Sequence, residues 1–353
     1  MSFLRAVVGA ARSARHAPRL AAGLTPDDDV LLDAPDDRLA PALVAAADGN
    51  PEPAAKLLAT TRDAGDWEDR DRHVGRLAAF AYHRGEWLER WTAAAPQDAD
   101  ALLVAAQLAV RRAWESPARA ERLRELDPLL RPLTEESGRD PVPWRLALDR
   151  ARGAHAGHAE FERLWEQALL RSPHHYGCHV AALKYLSAQW YGSHRAAFDF
   201  AEQAADDAAP GSLVRALTVR AAYEALRPLP APDGAAGGGP VPAGAAVDAA
   251  RIDRAADRGR ALSAEFAAGD PWPAEVRNLL AYVLVERERW ADALAEFGRT
   301  GPYATSFPWA VGGHDPLRRF LAARDRARAG AARRGTLWGR AGGIPGRSGP
   351  RGH

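Results

Sequence analysis

A chain of 353 residues, 47% of them hydrophobic, is long enough to bury a large core and lies far from the composition of a disordered segment. Its net charge of +1 conceals an imbalance, since Lys occurs only at Lys56 and Lys184 and Arg supplies the rest of the 47 basic residues. Set beside so much Ala, Gly and Pro, this bias reads as a coding background rather than a nucleic-acid surface, and the single Cys178 excludes an intramolecular disulfide.

The first 20 residues are basic and weakly amphipathic, with Phe3, Leu4, Val7 and Val8 opposing Arg5, Arg12 and Arg15. Their apolar run is too short for a secretory signal, and nowhere does the chain reach the roughly 18 consecutive apolar residues of a membrane span. A cytoplasmic protein with no transmembrane segment is therefore expected. An acidic stretch follows, "TPDDDVLLDAPDD" at 25–37, whose spacing does not match a calcium loop. Residues 1–37 are read as a partly ordered entry segment, basic and then acidic.

From there the apolar residues step by three and four. Val74, Leu77, Ala78, Ala81 and Tyr82 do so, as do Phe161, Leu164, Trp165, Ala168 and Leu169, and again Val276, Leu279, Leu280, Val283 and Leu284. Runs of period two rich in Val, Ile and Thr are almost lacking, so little is left to build a sheet. The spacing predicts helices near 52–64, 67–82, 86–95, 98–115, 117–136, 142–153, 159–171, 175–190, 194–208, 213–226, 249–268, 273–288, 291–299 and 316–334. Asp66 and Ser212 offer capping oxygens, and Pro117, Pro143 and Pro273 suit first turns. Short connections make neighbouring helices antiparallel hairpins. Two stretches stand apart: the Pro/Gly-rich 228–247, read as a flexible loop inside one helical domain of 38–334, and an Arg/Gly tail at 335–353, read as disordered.

The hairpins echo one another. "FERLWEQALLRSP" and "FDFAEQAADDAAP" share a Phe, at 161 and 198, a Glu-Gln-Ala and a closing Pro, at 173 and 210; "RERWADALAEFGRTGP" repeats the pattern more loosely. An aromatic residue, Ala-Leu and a helix ending in Pro resemble the second helix of tetratricopeptide repeats. The segment 40–300 is similar to tetratricopeptide-repeat-like bacterial proteins of unassigned function, in which a Trp-x-Gly-Ser-His element precedes a repeat helix. The resemblance implies an all-α, right-handed solenoid of antiparallel helix pairs and a habit of binding other proteins, not an activity; no cofactor is expected.

Two local clusters compete as sites. In "SPHHYGCHVAALKYL", His175 and His179 are four apart, as are His174 and Cys178, and such pairs chelate borderline cations; further ligands would have to come from His155 and His158. In "QWYGSHR", Ser193 beside His194 suggests a nucleophile and base, yet adjacent helical residues point about 100° apart and no Gly-x-Ser-x-Gly elbow surrounds them. A junction uses every residue instead: Trp190 closes one helix, Gly192 gives a permissive turn, Ser193 caps the next helix and His194 lines the corner. The expected function is a non-enzymatic scaffold holding an unknown peptide or protein segment on the concave face of the repeat. One alternative is a metal-dependent or hydrolytic enzyme centred on His174, His175, Cys178, His179 and His194. Another is an adaptor making weak peripheral membrane or nonspecific nucleic-acid contacts through Arg5, Arg12, Arg15 and Arg19 at one end and Arg333, Arg334, Arg340, Arg347 and Arg351 at the other.

Overall fold

A computed structural model describes residues 23–227, 247–310, 313 and 315–341. Nearly everything in it is helical. Seventeen α-helices are present among the described residues, with two single-turn 3₁₀ segments at Asp27–Asp29 and Leu213–Ala216. The backbone divides into two compact units, one formed by residues 35–247 and the other by residues up to 34 together with those from 248 onward. The second division falls at the end of the Pro/Gly stretch 228–247, of which all but Val247 lies outside the described residues.

The larger unit contains α1 (Ala40–Ala47), α2 (Glu52–Ala64), α3 (Trp67–His83), α4 (Glu86–Ala94), α5 (Ala99–Glu115), α6 (Arg119–Glu125), α7 (Asp127–Glu135), α8 (Val142–Gly153), α9 (His158–Arg171), α10 (Tyr176–Tyr185), α11 (His194–Asp207) and α12 (Leu217–Leu226). Packed helix pairs run through it: α8 lies on α9 and α11 on α12, while α3 also packs on α5, α5 on α8, α8 on α10 and α10 on α12. The stripes read from the spacing are its core. Val74, Leu77, Ala78 and Ala81 are buried against Leu58, Trp87, Leu103 and Val104, and Phe161, Leu164 and Ala168 against Leu148, Ala182 and Tyr185.

Ends follow local chemistry. Asp98 opens α5 by accepting from the N–H groups of Asp100 and Ala101, and Gly65 closes α2 with φ +70°, a left-handed conformation cheap only for glycine. Ser212 caps as expected, its Oγ accepting from Val214 N–H. Asp66 does not cap α3; its carboxylate meets Arg38 at 3.4 Å instead. The single helix expected at 117–136 is two, because Pro128 supplies no N–H and a new helix starts around it. The helix expected to reach 190 stops at Tyr185, where the N–H groups of Tyr191 and Ser193 turn back onto the carbonyls of Tyr185 and Leu186. The Ala-rich α1 has no counterpart among the expected elements.

Five helices build the smaller unit: α13 (Ala249–Ser263), α14 (Ala274–Glu286), α15 (Trp290–Thr300), the short α16 (Ser306–Trp309) and α17 (Pro316–Ala341). Helix α17 passes the expected end at 334, so the tail read as disordered is helical as far as 341 and lies outside the described residues beyond it. Val276, Leu279, Leu280, Val283 and Leu284 are all buried, as their spacing requires. Strands β1 (Leu31–Leu32) and β2 (Tyr303–Ala304) pair in parallel, an arrangement that so short a stretch of sequence could not announce. The acidic residues of 25–37 pin this segment: Asp33 accepts from Ser306 N–H at 2.8 Å and Ser306 Oγ at 2.7 Å, and Asp27 pairs with the buried Arg324.

Candidate functional site

The sequence singled out His174, His175, Cys178 and His179, and the structure separates them. His174 is exposed. His179 is buried, its Nδ1–H donating to the His175 carbonyl at 2.9 Å while its ring meets Trp165 edge-on at 5.0 Å. His175 and Cys178 do meet, in a pairing different from either expected one: His175 Nδ1 accepts from the Cys178 N–H and lies 3.2 Å from its Sγ, so the imidazole caps α10. Burial pushes the His175 imidazole down to about 4, and burial with the Asp71 carboxylate raises the Cys178 thiol well above its ordinary value, which leaves both neutral. His155 and His158 are engaged elsewhere, their Nδ1 atoms 2.6 Å from Tyr191 Oη and 2.9 Å from Tyr185 Oη. Among the described residues no group of three or more His, Cys, Asp or Glu is placed to hold a metal ion.

At "QWYGSHR" the backbone turns tightly. Ser193 is extended and its Oγ accepts from Ala196 N–H at 3.0 Å, the geometry of a helix cap, with His194 as the first residue of α11. Trp190 lies beyond the end of α10 rather than closing it, packing edge-on against Trp114 at 5.5 Å. Gly192 needs no left-handed backbone; the constraint is steric, since a Cβ there would stand 2.1 Å from the Leu186 carbonyl oxygen. Gly192→Ala is therefore expected to destabilise by about 1–3 kcal/mol, the cost of forcing a packed backbone apart. Ser193→Ala should cost about 0.5–2 kcal/mol, and Ser193→Asp should be tolerated at the positive helix end. Denaturant melts check both, and a Gly192→Ala protein melting like the parent would contradict the steric account.

The feature that spacing alone did not expose is a charged seam on the side of the larger unit where α3, α8, α10 and α12 neighbour one another. Arg145, Asp149 and Arg152 recur at i, i+4 and i+7 on one face of α8, flanked by its buried Leu146 and Leu148. Arg145 donates through Nε to Asp71 of α3 at 3.0 Å, through Nη2 to Gln107 of α5 at 2.6 Å and through Nη1 to Asp149 at 3.4 Å. Arg152 reaches Asp149 at 2.9 Å, its guanidinium 4.4 Å from the Trp114 ring and 4.7 Å from that of Trp190. On α12, Glu224 accepts from Arg220 at 3.3 Å and from Arg227 at 3.2 Å. Lys184 of α10 lies between these two groups, within electrostatic reach of Arg220, Asp149, Arg152 and Glu224.

The charges of the seam act on one another. Burial pushes the Asp149 carboxyl up, but Arg152, Lys184 and Arg145 outweigh it and hold the group below its ordinary value. Burial, reinforced by Arg220, brings the Lys184 ammonium down to about 8. His194 is lowered by burial too, although the nearby Glu224 opposes this. A signal was present in the sequence: "VPWRLALDRARG" and "LTVRAAYEAL" set charges at helical spacing inside otherwise apolar runs, and Lys184 is one of two lysines where Arg is the default.

At the other end of the seam, half-buried Glu68 of α3 accepts from Tyr176 N–H at 2.6 Å. Burial, with Asp71 nearby, raises its carboxyl from 4.5 to about 7. A carboxyl raised on folding contributes stability below its unfolded value and loses it as pH climbs through the folded one. Glu68→Gln keeps an acceptor for Tyr176 but cannot ionise, so its melting temperature relative to the parent should rise between pH 4.5 and about 7 and level off above. His175, depressed to about 4, acts in the opposite sense as pH falls and is common to both proteins, so the difference isolates Glu68. Parallel melting curves across this range would refute the assignment.

No described helix is long and apolar enough to cross a membrane. Of the Arg residues proposed for surface docking, Arg5, Arg12, Arg15, Arg19, Arg347 and Arg351 lie outside the described residues, Arg334 and Arg340 fall within α17, and Arg333 is exposed. Compared with protein-family models, curated proteins and solved structures, the chain gives no match, and its function must be argued from its own geometry.

Proposed function

We propose that residues 35–227 form a tetratricopeptide-like helical repeat acting as a non-enzymatic scaffold, with a peptide or protein segment held along the face shared by α3, α5, α8, α10 and α12. The observation that supports this reading is the seam itself. Alternate helices pack on one another and line up two hydrogen-bonded groups of charges, Asp71 with Arg145, Asp149 and Arg152, and Arg220 with Glu224 and Arg227. Folding stability does not call for such an arrangement, because well-packed apolar residues would serve at least as well. A surface that reads polar side chains of a partner does call for it, since fixed ion pairs present donors and acceptors without reorganisation.

Photo-crosslinking in the native host tests the proposal. A benzoylphenylalanine at Val180, one turn from Lys184 on α10, or at Gln107 on α5 should yield a discrete crosslinked polypeptide. The same group at Leu170, which is 75% exposed on α9, should not. Equal labelling at all three positions, or none at Val180 and Gln107, would remove the support for this face.

A further inference from the structure

We propose that the corner after α10 carries a redox-active tyrosine, Tyr191, which gives one electron to a one-electron oxidant and its phenolic proton to His155. This activity stands apart from the scaffold reading and does not depend on whether the unit holds a partner. Three observations lead to it. First, Tyr191 Oη lies 2.6 Å from His155 Nδ1, within the reach that a proton acceptor needs. The His155 tautomer with its hydrogen on Nε2 presents the Nδ1 lone pair to the phenol. His155 sits between α8 and α9 with φ 59°, a left-handed backbone that a residue bearing a Cβ adopts only at a cost, and it is exposed, so its ring exchanges protons with water. Second, a pairing of the same kind stands beside it: Tyr185 Oη is 2.9 Å from His158 Nδ1, and the Tyr185 and Tyr191 rings are 4.7 Å apart.

Third, the phenols end a row of neighbouring rings. Trp114 meets Trp190 at 5.5 Å and Trp190 meets Tyr191 at 6.4 Å, and all three residues are half-buried. The two indoles are poor resting places for a missing electron. The Arg152 guanidinium stands 4.4 Å from the Trp114 ring and 4.7 Å from that of Trp190, and it repels the positive charge that an oxidised indole carries. Tyr191 avoids this penalty by losing a proton together with the electron, so the oxidation passes from the indoles to the phenol. Burial raises the Tyr191 phenol above its ordinary value although Arg152 opposes this, and the proton therefore stays on Oη until the electron leaves. The step balances: the Oη–H bond breaks, an Nδ1–H bond forms on His155, the oxidant gains the electron and a neutral phenoxyl radical remains. A one-electron reductant of the enediol class, such as ascorbate, returns the electron while His155 returns the proton.

Flash photolysis of the full chain tests it, with a tris(bipyridine)ruthenium complex as photo-oxidant and a cobalt ammine as electron acceptor. Transient absorption gives the rate of radical formation, and electron paramagnetic resonance of freeze-trapped samples gives the identity of the radical. A neutral tyrosyl signal that ascorbate quenches is expected. Tyr191→Phe should lower its yield severalfold, whereas Tyr82→Phe, at a ring on α3, leaves it unchanged. His155→Gly suits the left-handed backbone and should slow radical formation at least about tenfold, the scale of a positioned proton acceptor. Free imidazole in the buffer should restore part of that rate, which a merely structural role of His155 would not allow. Circular dichroism melts show which variants are folded, and His155→Asn, which also tolerates this backbone, serves as a second replacement. Absence of a tyrosyl signal, a radical resting on tryptophan, or an undiminished yield in Tyr191→Phe overturns the proposal. So does an unchanged rate in the folded His155 variants, or a slowed rate that imidazole does not restore.

Discussion

Replacement of Arg70 by alanine should cost about 3–5 kcal/mol, because it leaves the buried Asp140 carboxylate without its cation and the buried Asp100 with Arg62 alone. The Arg70 side chain is 2% exposed and ties four segments together: Nε donates to Asp140 Oδ2 and Nη2 to Asp100 Oδ1, each at 2.6 Å, and Nη1 donates to the Leu58 carbonyl at 2.9 Å. Asp140 in turn accepts from Val142 N–H at the start of α8, so the loss reaches the helix that carries Arg145, Asp149 and Arg152. Burial already raises the Asp140 carboxyl despite Arg70, which shows how costly its charge would be alone. Lysine should not rescue, since one ammonium cannot span three acceptors in the plane of a guanidinium. Adding Asp100→Asn and Asp140→Asn to Arg70→Met should recover part of the loss by removing the unpaired charges. Denaturant unfolding followed by far-ultraviolet dichroism measures each step, and a loss below about 1 kcal/mol for Arg70→Ala would place the stability of this unit elsewhere.

Arg277→Ala should be of similar size, about 3–5 kcal/mol, in the smaller unit. Its fully buried guanidinium donates to Ser263 Oγ and to the carbonyls of Ser263, Phe266 and Arg299, all at 3.0 Å. Glu296, also fully buried and with its carboxyl raised by burial, accepts from Ser263 Oγ at 2.5 Å and stands 3.9 Å from Arg277. Alanine strands three carbonyls and removes one of the two cations beside that carboxylate, leaving Arg299 at 3.6 Å. Glu296→Gln in the same chain should soften the defect, because a neutral amide is cheaper to bury. Amide hydrogen exchange within α14 and α15 provides the local readout: protection should fall in Arg277→Ala and return in part in the double variant.

The helices were legible because burial on one side of a helix writes a 3.6-residue period into the chain, and Val74, Leu77, Ala78 and Ala81 all bear it. Their ends were legible where a single residue decides them, as Ser193 and Ser212 do. Ends set by longer reach were not: α10 stops because residues 191 and 193 bond back to its last carbonyls, and no propensity within α10 foretells that. Gly192 was recognisable as a turn residue, but whether it serves by conformation or by lack of volume depends on where the Leu186 carbonyl points. The histidines misled for a related reason. Spacing on one helix shows which side chains could meet, and His175 instead folded back onto its own helix end. The seam stayed hidden because its bonds join residues as far apart as Asp71 and Arg145, and one-dimensional periodicity carries no information about which helices become neighbours.

The parallel pairing of β1 with β2 has a consequence for how the chain is made. Asp33 and the Ser306 that it holds are 273 positions apart, with the whole of 35–247 between them. At the usual ribosomal pace of about 5–20 residues per second, roughly 14–55 s pass between the emergence of one and the other. Throughout that interval the acids at 27 and 33 and the leucines at 31 and 32 have no partner to receive them, whatever has folded in between. Leu31 and Leu32 remain 51% and 41% exposed even afterwards. The nascent protein thus carries an unsatisfied hydrogen-bonding edge next to two apolar side chains until its last third is synthesised, which makes this short segment the place where translation speed and chaperone supply bear most directly on yield.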